Sequence, residues 1–252
     1  MQSYLPPLAL SGALLSLACA SPSYTVRPAP AVVVESPGAR AVVVVRVPVP
    51  WYAPRSAVRR RFRDVLSEYE PLAPLEAKYF TISDDGRFGG IYLWKTRGDA
   101  EAHFDAAWRE GVRRRRGSDA DVVILDAPYV IEGRAVPVGT PRGTRSTEVP
   151  ATASFVRWDL PDTADPAAMA RLVATSPWPS EALVRGFVVT GPKTVGVAAL
   201  WATREAAEQA VSTEGRAPIA GAIGAPCASV TLFEAPLLVD ASIRGALPGP
   251  PR

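Results

Sequence analysis

Two stretches of this chain repeat one pattern: Gly89-Gly90-Ile91-Tyr92-Leu93-Trp94-Lys95-Thr96-Arg97-Gly98-Asp99-Ala100, and later Gly196-Val197-Ala198-Ala199-Leu200-Trp201-Ala202-Thr203-Arg204-Glu205-Ala206-Ala207. Trp201 follows Trp94 by 107 positions (201 − 94). In each copy the apolar run ending in Leu-Trp predicts a buried strand, and the Thr-Arg-x-x-Ala after it predicts a turn into a helix. A second landmark agrees: Leu232-Phe233-Glu234-Ala235-Pro236 answers Ile124-Leu125-Asp126-Ala127-Pro128 at a shift of 108 (236 − 128). A spacing this long exceeds any solenoid repeat, so each copy is a whole small domain.

Taken in order, the first copy predicts a β-branched strand over 41–47 and a helix over 56–70 with Val58, Phe62, Val65, Leu66 and Tyr69 on its inner face. Strands over 75–82 and 89–94 follow, joined by the turn Asp84-Asp85-Gly86, a hairpin signature. A second helix starts at Asp99 with the stripe Ala100, Phe104, Ala107, Trp108 and Val112, and a last strand over 121–125 stops at Ala127-Pro128. The second copy repeats this with strands over 154–160, 183–190, 195–201 and 229–234, a helix capped by Asp165-Pro166, and a shorter helix over 204–211. Each copy therefore reads βαββαβ.

That order folds as a four-stranded antiparallel sheet with both helices on one face, the ferredoxin-like arrangement. The opposite face ought to be polar if it met water. Instead Ile91 and Leu93 alternate with Tyr92 and Trp94, and their counterparts are apolar on both faces too. The expected fold class is therefore α+β: two tandem ferredoxin-like units packed sheet to sheet as an intramolecular pseudo-dimeric α/β barrel. The body is expected to be monomeric, because each unit covers the face that the other must hide.

Leu75-Glu76-Ala77-Lys78-Tyr79-Phe80, Asp85-Gly86, Gly89-Gly90-Ile91-Tyr92-Leu93-Trp94 and Ala100 resemble the YdhR-type mono-oxygenase family of the dimeric α/β-barrel superfamily. The resemblance runs over about 41–132 and weakens in the second copy, where Gly-Gly-Ile-Tyr becomes Gly196-Val197-Ala198-Ala199. It implies homodimer-like barrels and, in some relatives, oxygenation of aromatic or polyketide-like substrates without metal or flavin. A surviving pocket is expected in the first copy, with Tyr79, Tyr92, Trp94, His103 and Trp108 as its candidate residues. The competing reading of the aromatics is core packing.

His103 is the single histidine, and with Cys19 and Cys227 it cannot complete an ordinary metal site, so no metal or cofactor is expected. No phosphate-binding glycine loop, Rossmann fingerprint or Gly-x-Ser-x-Gly appears. The formal charge of +3 sits largely in arginine clusters at helix ends, which excludes a general nucleic-acid footprint. Expected partners are a small apolar or aromatic ligand and, through a lipid anchor, a membrane.

Residues 1–20 read as a signal peptide whose apolar run is too short for a comfortable span. Two exits are open: lipidation of Cys19 after Ala18, resembling a bacterial lipobox, or cleavage after Ala20 with free secretion. The Pro-rich tether over 21–39 favours the anchor and an envelope location. The remaining divisions are a first unit over 40–133, a linker over 134–151, a second unit over 152–241 and a disordered tail over 242–252. Function divides into an exported, non-catalytic binder of a small molecule or protein and, alternatively, a cofactor-independent mono-oxygenase-like enzyme. If the anchor is right, palmitate labelling marks the wild type, and Cys19→Ala removes the label and releases the protein. An unlabelled wild type whose mature N-terminus is Ser21 establishes cleavage after Ala20 instead.

Overall fold

The computed structural model describes residues 31–36, 40–50, 52–135, 146–225 and 227–240. The expectations for the signal peptide, Cys19 and the tail over 242–252 lie outside these residues.

The first unit contains β2 (Ala41–Pro48), α1 (Arg55–Asp64), α2 (Leu66–Tyr69), β3 (Leu75–Ser83), β4 (Arg87–Trp94), α3 (Arg97–His103), α4 (Ala106–Arg116) and β5 (Asp121–Glu132), preceded by a short strand β1 (Val32–Glu35). The second contains β6 (Ser146–Asp159), α5 (Pro166–Thr175), β7 (Leu183–Gly191), β8 (Thr194–Trp201), α6 (Arg204–Val211), α7 (Thr213–Ile223) and β9 (Cys227–Asp240). All strand pairings are antiparallel, in the order β1-β5-β2-β4-β3-β9-β6-β8-β7, and β7 returns to β5. Strands β2 to β9 thus close a barrel, with β1 added outside it, and the α+β pseudo-dimeric barrel expected from the patterning is the fold.

Closure rests on two long strands that each serve both units. β5 pairs with β2 over Asp121 to Asp126, then with β7 over Tyr129 to Glu132. In the other unit β9 pairs with β6 over Cys227 to Val239 and, on its other edge, with β3, where Leu237 to Asp240 face Phe80 to Ala77. Both strands therefore outrun the ends expected at Ala127-Pro128 and near Glu234. Proline was read as a stop because it cannot donate to a ladder. Pro128 and Pro236 instead fall at the register shifts, between partners, where no donor is missed.

Other local differences have equally plain causes. The helix expected over 56–70 breaks at Val65 into α1 and α2. The second helix breaks at Phe104, because the Asp105 side chain accepts from Trp108 N at 2.7 Å and caps a new start. That break turns Ala107 to solvent. Helix α3 is capped by Thr96, which accepts from Asp99 N at 3.0 Å, so the cap lies three residues before the expected start. Strand β1 occupies part of the stretch expected as tether, and β6 begins at Ser146 within the expected linker. Helix α7, with Pro218 inside it, was not anticipated.

The glycines shared by the two copies have a steric reason. A Cβ on Gly89 would run into the Val45 carbonyl, and one on Gly196 would run into that of Val156. Close approach of β2 to β4, and of β6 to β8, selects glycine at both places. Gly86 completes the β3–β4 turn at φ 77°.

The barrel interior is an apolar core to which both sheets contribute, including Val42, Ile91 and Leu93 from the first unit and Ala198, Leu200 and Phe233 from the second. Tyr79 and Phe187 stack at its centre with ring centroids 6.0 Å apart. Tyr92 and Trp94 point away from it, toward the helices.

At one end of the barrel lies a buried charge network. Arg185 on β7 donates through Nη1 to both carboxylate oxygens of Asp240 at 3.0 Å, and through Nε and Nη2 to Glu132 at 3.1 and 2.8 Å. Asp240 also accepts from the Tyr79 hydroxyl at 3.0 Å. Glu132 and Asp240 are the last residues of β5 and β9, so one guanidinium clasps the ends of both exchanged strands. Removing one partner from a buried pair strands the others, a loss of roughly 3–5 kcal/mol. Arg185→Ala should therefore lower unfolding stability in urea by about that amount. A loss no larger than that of an exposed pair such as Lys193–Asp162 would show that the clasp is unimportant.

Candidate functional site

The best-equipped site lies on the helical side of the first sheet, where α1, α2 and α4 arch over β2, β3 and β4 and leave a chamber of about 440 Å³. Its floor follows from strand alternation. Ala77 and Tyr79 face the barrel, and Lys78 and Phe80 face the helices. Tyr92 stands directly across from Lys78 in the β3–β4 ladder. The walls include Phe62, Tyr69, His103 and Trp108, and Arg61, Arg115 and Arg116 lie at the exposed rim.

Lys78 dominates the chemistry. It is 2% exposed, and its Nζ lies 2.9 Å from the ring centroid of Tyr69, 3.8 Å from Phe80 and 4.7 Å from Tyr92. Among the described residues no carboxylate pairs with it and no group accepts a hydrogen bond from it. A ring face favours an ammonium by about 0.5–2 kcal/mol. Burial without a paired counter-ion outweighs this, because an ammonium taken out of water loses more than the ring faces return. Desolvation therefore holds the amine well below its ordinary value, against a weaker upward pull from Glu68. The result is an amine that gives up its proton far more readily than an exposed lysine, inside an aromatic chamber.

The neighbouring groups are tuned in the same direction, toward neutrality. Desolvation raises the Tyr92 hydroxyl far above its normal range, with Tyr69 adding to the effect through charge and a hydrogen bond. Desolvation also raises Tyr69 itself. His103 is lowered by burial first and by Lys78 second, with Asp105 opposing. Its Nε2 and the Trp94 Nε1 are buried atoms without a hydrogen-bond partner among the described residues.

The five residues expected to form a site divide four to one. Tyr92, Trp94, His103 and Trp108 share the first unit's helix-side cluster. His103 lies 4.9 Å from Trp94 and 4.8 Å from Phe104, and Phe104 packs edge-on against Trp108 at 4.9 Å. Of the four, Trp94 stands behind the chamber wall and does not line it. Tyr79 is elsewhere, inside the barrel and bound to Asp240, because it sits one residue out of phase with Lys78. Lys78, Tyr69 and Phe80 were missed as site residues. A signal for Lys78 was present: a lysine in the middle of a strand apolar on both faces, in a chain with three lysines in all.

No family model and no curated protein matches this chain. Solved structures do. The chain is similar to a proposed monooxygenase from Lactobacillus acidophilus, at 12% identity over 80% of this chain and 93% of that one, with a TM-score of 0.50. It is similar to a second from Fusobacterium nucleatum, at 8% identity over 81% and 95%, with a TM-score of 0.55. An anthrone oxidase-like protein matches at 11% identity over 83% and 97%, with a TM-score of 0.51. Each match spans about four-fifths of the chain, so the likeness is to the two-unit body and not to one ferredoxin-like half. At these identities it is a likeness of fold.

The state of Lys78 has a measurable consequence. Because its folded pKa is depressed, the unfolded chain holds the extra proton between that value and the ordinary 10.5, and stability must rise with pH across the window. His103 acts in the same sense through its ordinary 6.5, which makes a difference measurement necessary. Lys78→Met should stabilise the fold at pH 7 by about 1.4 kcal/mol per unit of depression. Its advantage should shrink toward zero as pH passes 10.5. Thermal unfolding of both proteins at pH 7 and pH 10 decides; a pH-independent gap would mean that the amine stays charged.

Proposed function

We propose that the first-unit chamber holds a small planar aromatic molecule bearing an acidic hydroxyl or methylene, and that Lys78 removes its proton in a cofactor-independent oxygenation. The observation that carries this reading is the buried amine of Lys78, without a carboxylate partner among the described residues and with its proton weakly held, among the rings of Tyr69, Phe80 and Tyr92. The ring faces suit a flat ligand, whose ring would take the place of Tyr69 above Nζ. Lys78 Nζ takes the proton and leaves the electron pair on the ligand. The resulting carbanion or phenolate is electron-rich enough to reduce dioxygen directly. For an activated methylene the overall change is CH2 plus O2 to C=O plus H2O. The substrate supplies all four electrons, and no external reductant is required. The similarity to an anthrone oxidase-like fold supports the same class.

A second reading, binding without turnover, is favoured by one observation: Tyr69 covers the amine, which is 2% exposed in this state. The rest of the proposal concerns setting and origin. The chain derives from duplication of a YdhR-type unit. It acts as a monomer whose two halves replace a homodimer, and it is exported and held at an envelope membrane through Cys19.

Anthrone is a suitable probe, since its activated methylene matches the required acidity. The wild type is expected to accelerate oxygen uptake and anthraquinone formation, and Lys78→Met to lose at least about a hundredfold, the usual contribution of a positioned base. Lys78→Met should still bind the probe by equilibrium dialysis. Binding by both proteins with no turnover by either would select the second reading. No binding by the wild type would overturn both.

A further inference from the structure

Arginine gathers where α1 and α4 end, and the negative end of a helix dipole ordinarily accounts for such cations. The structure divides the cluster. Arg63 donates to Glu148 at 2.9 Å and Arg113 to Asp119 at 2.7 Å, and neither lines the first chamber. Arg61, Arg115 and Arg116 do line it, at the rim. Together with Lys78 on the floor they set four basic side chains against one carboxylate on the wall, Glu68, which makes no ion pair among the described residues.

The rim charges are poorly compensated. The Arg115 guanidinium has no carboxylate or carbonyl partner among the described residues, and Arg61 reaches only Asp64 on its own helix, at 3.7 Å with both groups exposed. Arg116 lies over the Phe88 ring, 5.1 Å from its centroid. Gly111, one turn before Arg115, leaves it room: a Cβ there would stand 3.1 Å from Arg115 Nη1. The three charges also feel one another, since Arg116 is lowered by burial first and then by Arg61 and Arg115, with Tyr52 opposing. Like charges gathered without a counter-ion repel, and an anion placed among them removes the repulsion. The second unit's cavity, about 240 Å³ beneath α6 and α7, has no such mouth: a single arginine lines it, Arg216, whose Nε donates to the Val211 carbonyl at 2.7 Å.

We propose that the molecule taken up by the first chamber is an aromatic acid, whose ring enters among Tyr69, Phe80 and Tyr92 while a carboxylate at its outer end stays at the mouth between Arg61, Arg115 and Arg116. This rests on the first chamber being the ligand site, and it adds the ligand's charge and orientation. The guanidinium fork matches the two carboxylate oxygens, and a place at the rim spares the anion full desolvation. The acidic hydroxyl or methylene then points inward, to Lys78.

The test measures binding of 6-hydroxy-2-naphthoate and of 6-hydroxy-2-naphthamide, its neutral counterpart of the same shape, by isothermal titration at pH 7.5. The wild type should bind the carboxylate about tenfold more tightly than the amide, the factor that one charge-assisted hydrogen bond supplies. Added salt should weaken the carboxylate alone. The double variant Arg115→Gln, Arg116→Gln should lose the preference and keep its affinity for the amide; should it fail to fold, Arg115→Gln alone should cut the preference at least threefold. Arg114→Gln, on the same turn but outside the chamber, and Lys78→Met should both retain it. Equal affinities in the wild type, a preference that survives loss of the rim arginines, or one that vanishes in Lys78→Met overturns the proposal. Turnover plays no part in the measurement: a carboxylate preference without oxygenation of any probe leaves the aromatic acid standing and rejects Lys78 as the base, whereas oxygenation without the preference does the reverse.

Discussion

Everything in this molecule depends on hiding two apolar sheet faces from water with one chain. A ferredoxin-like sheet covered by helices on one side has a bare second face and an open edge, and both are hazards in water. Packing the two faces together removes the first. The second is removed because β5 and β9 run past their own sheets and pair with β7 and β3 of the other unit. Arg185, gripping Glu132 and Asp240, holds the tips of both overrunning strands in a region where a lone charge would be intolerable. The network also satisfies the Tyr79 hydroxyl, which would otherwise lie unpartnered in an apolar interior. Pairs spanning the units at the surface, such as Arg204–Asp84 at 2.7 Å, sit in water and add little by comparison.

The barrel was legible from alternation. Ile91, Leu93 and their counterparts required a second apolar surface, and the repeat supplied one within the chain. The long strands were not legible, because Pro128 and Pro236 read as stops unless the register shift that accommodates them is known. The site was half legible. Its aromatics stand out, but which face of β4 bears them depends on a parity that composition cannot fix, and Tyr79 fell on the other side of the sheet. Lys78 was overlooked because attention to residue type favours histidine, cysteine and carboxylates. The unusual fact about Lys78 is its place: a lysine on a strand buried on both faces cannot keep its proton cheaply.

The two units carry one β-ladder with ionisable groups in the first and none at the same places in the second. Gly186 and Ala199 occupy the positions of Lys78 and Tyr92, and the β-ladder beneath them is unchanged in register. The backbone thus tolerates either a buried amine or its removal. In the second unit the space is walled by Trp158, Trp178 and Trp201, which bring large surface and indole donors in place of an ionisable group.

The overrunning strands also set an order of events during synthesis. The edge of β3 in the first unit is covered by residues near Leu237, and the Tyr79 hydroxyl meets Asp240 across 161 positions of chain. The first unit, although made first, cannot seal its edge or its bare face until β9 is available. Contacts this distant in sequence make folding slow and leave the nascent chain with unpaired strands for as long as translation lasts. The body therefore closes only once β9 has been made.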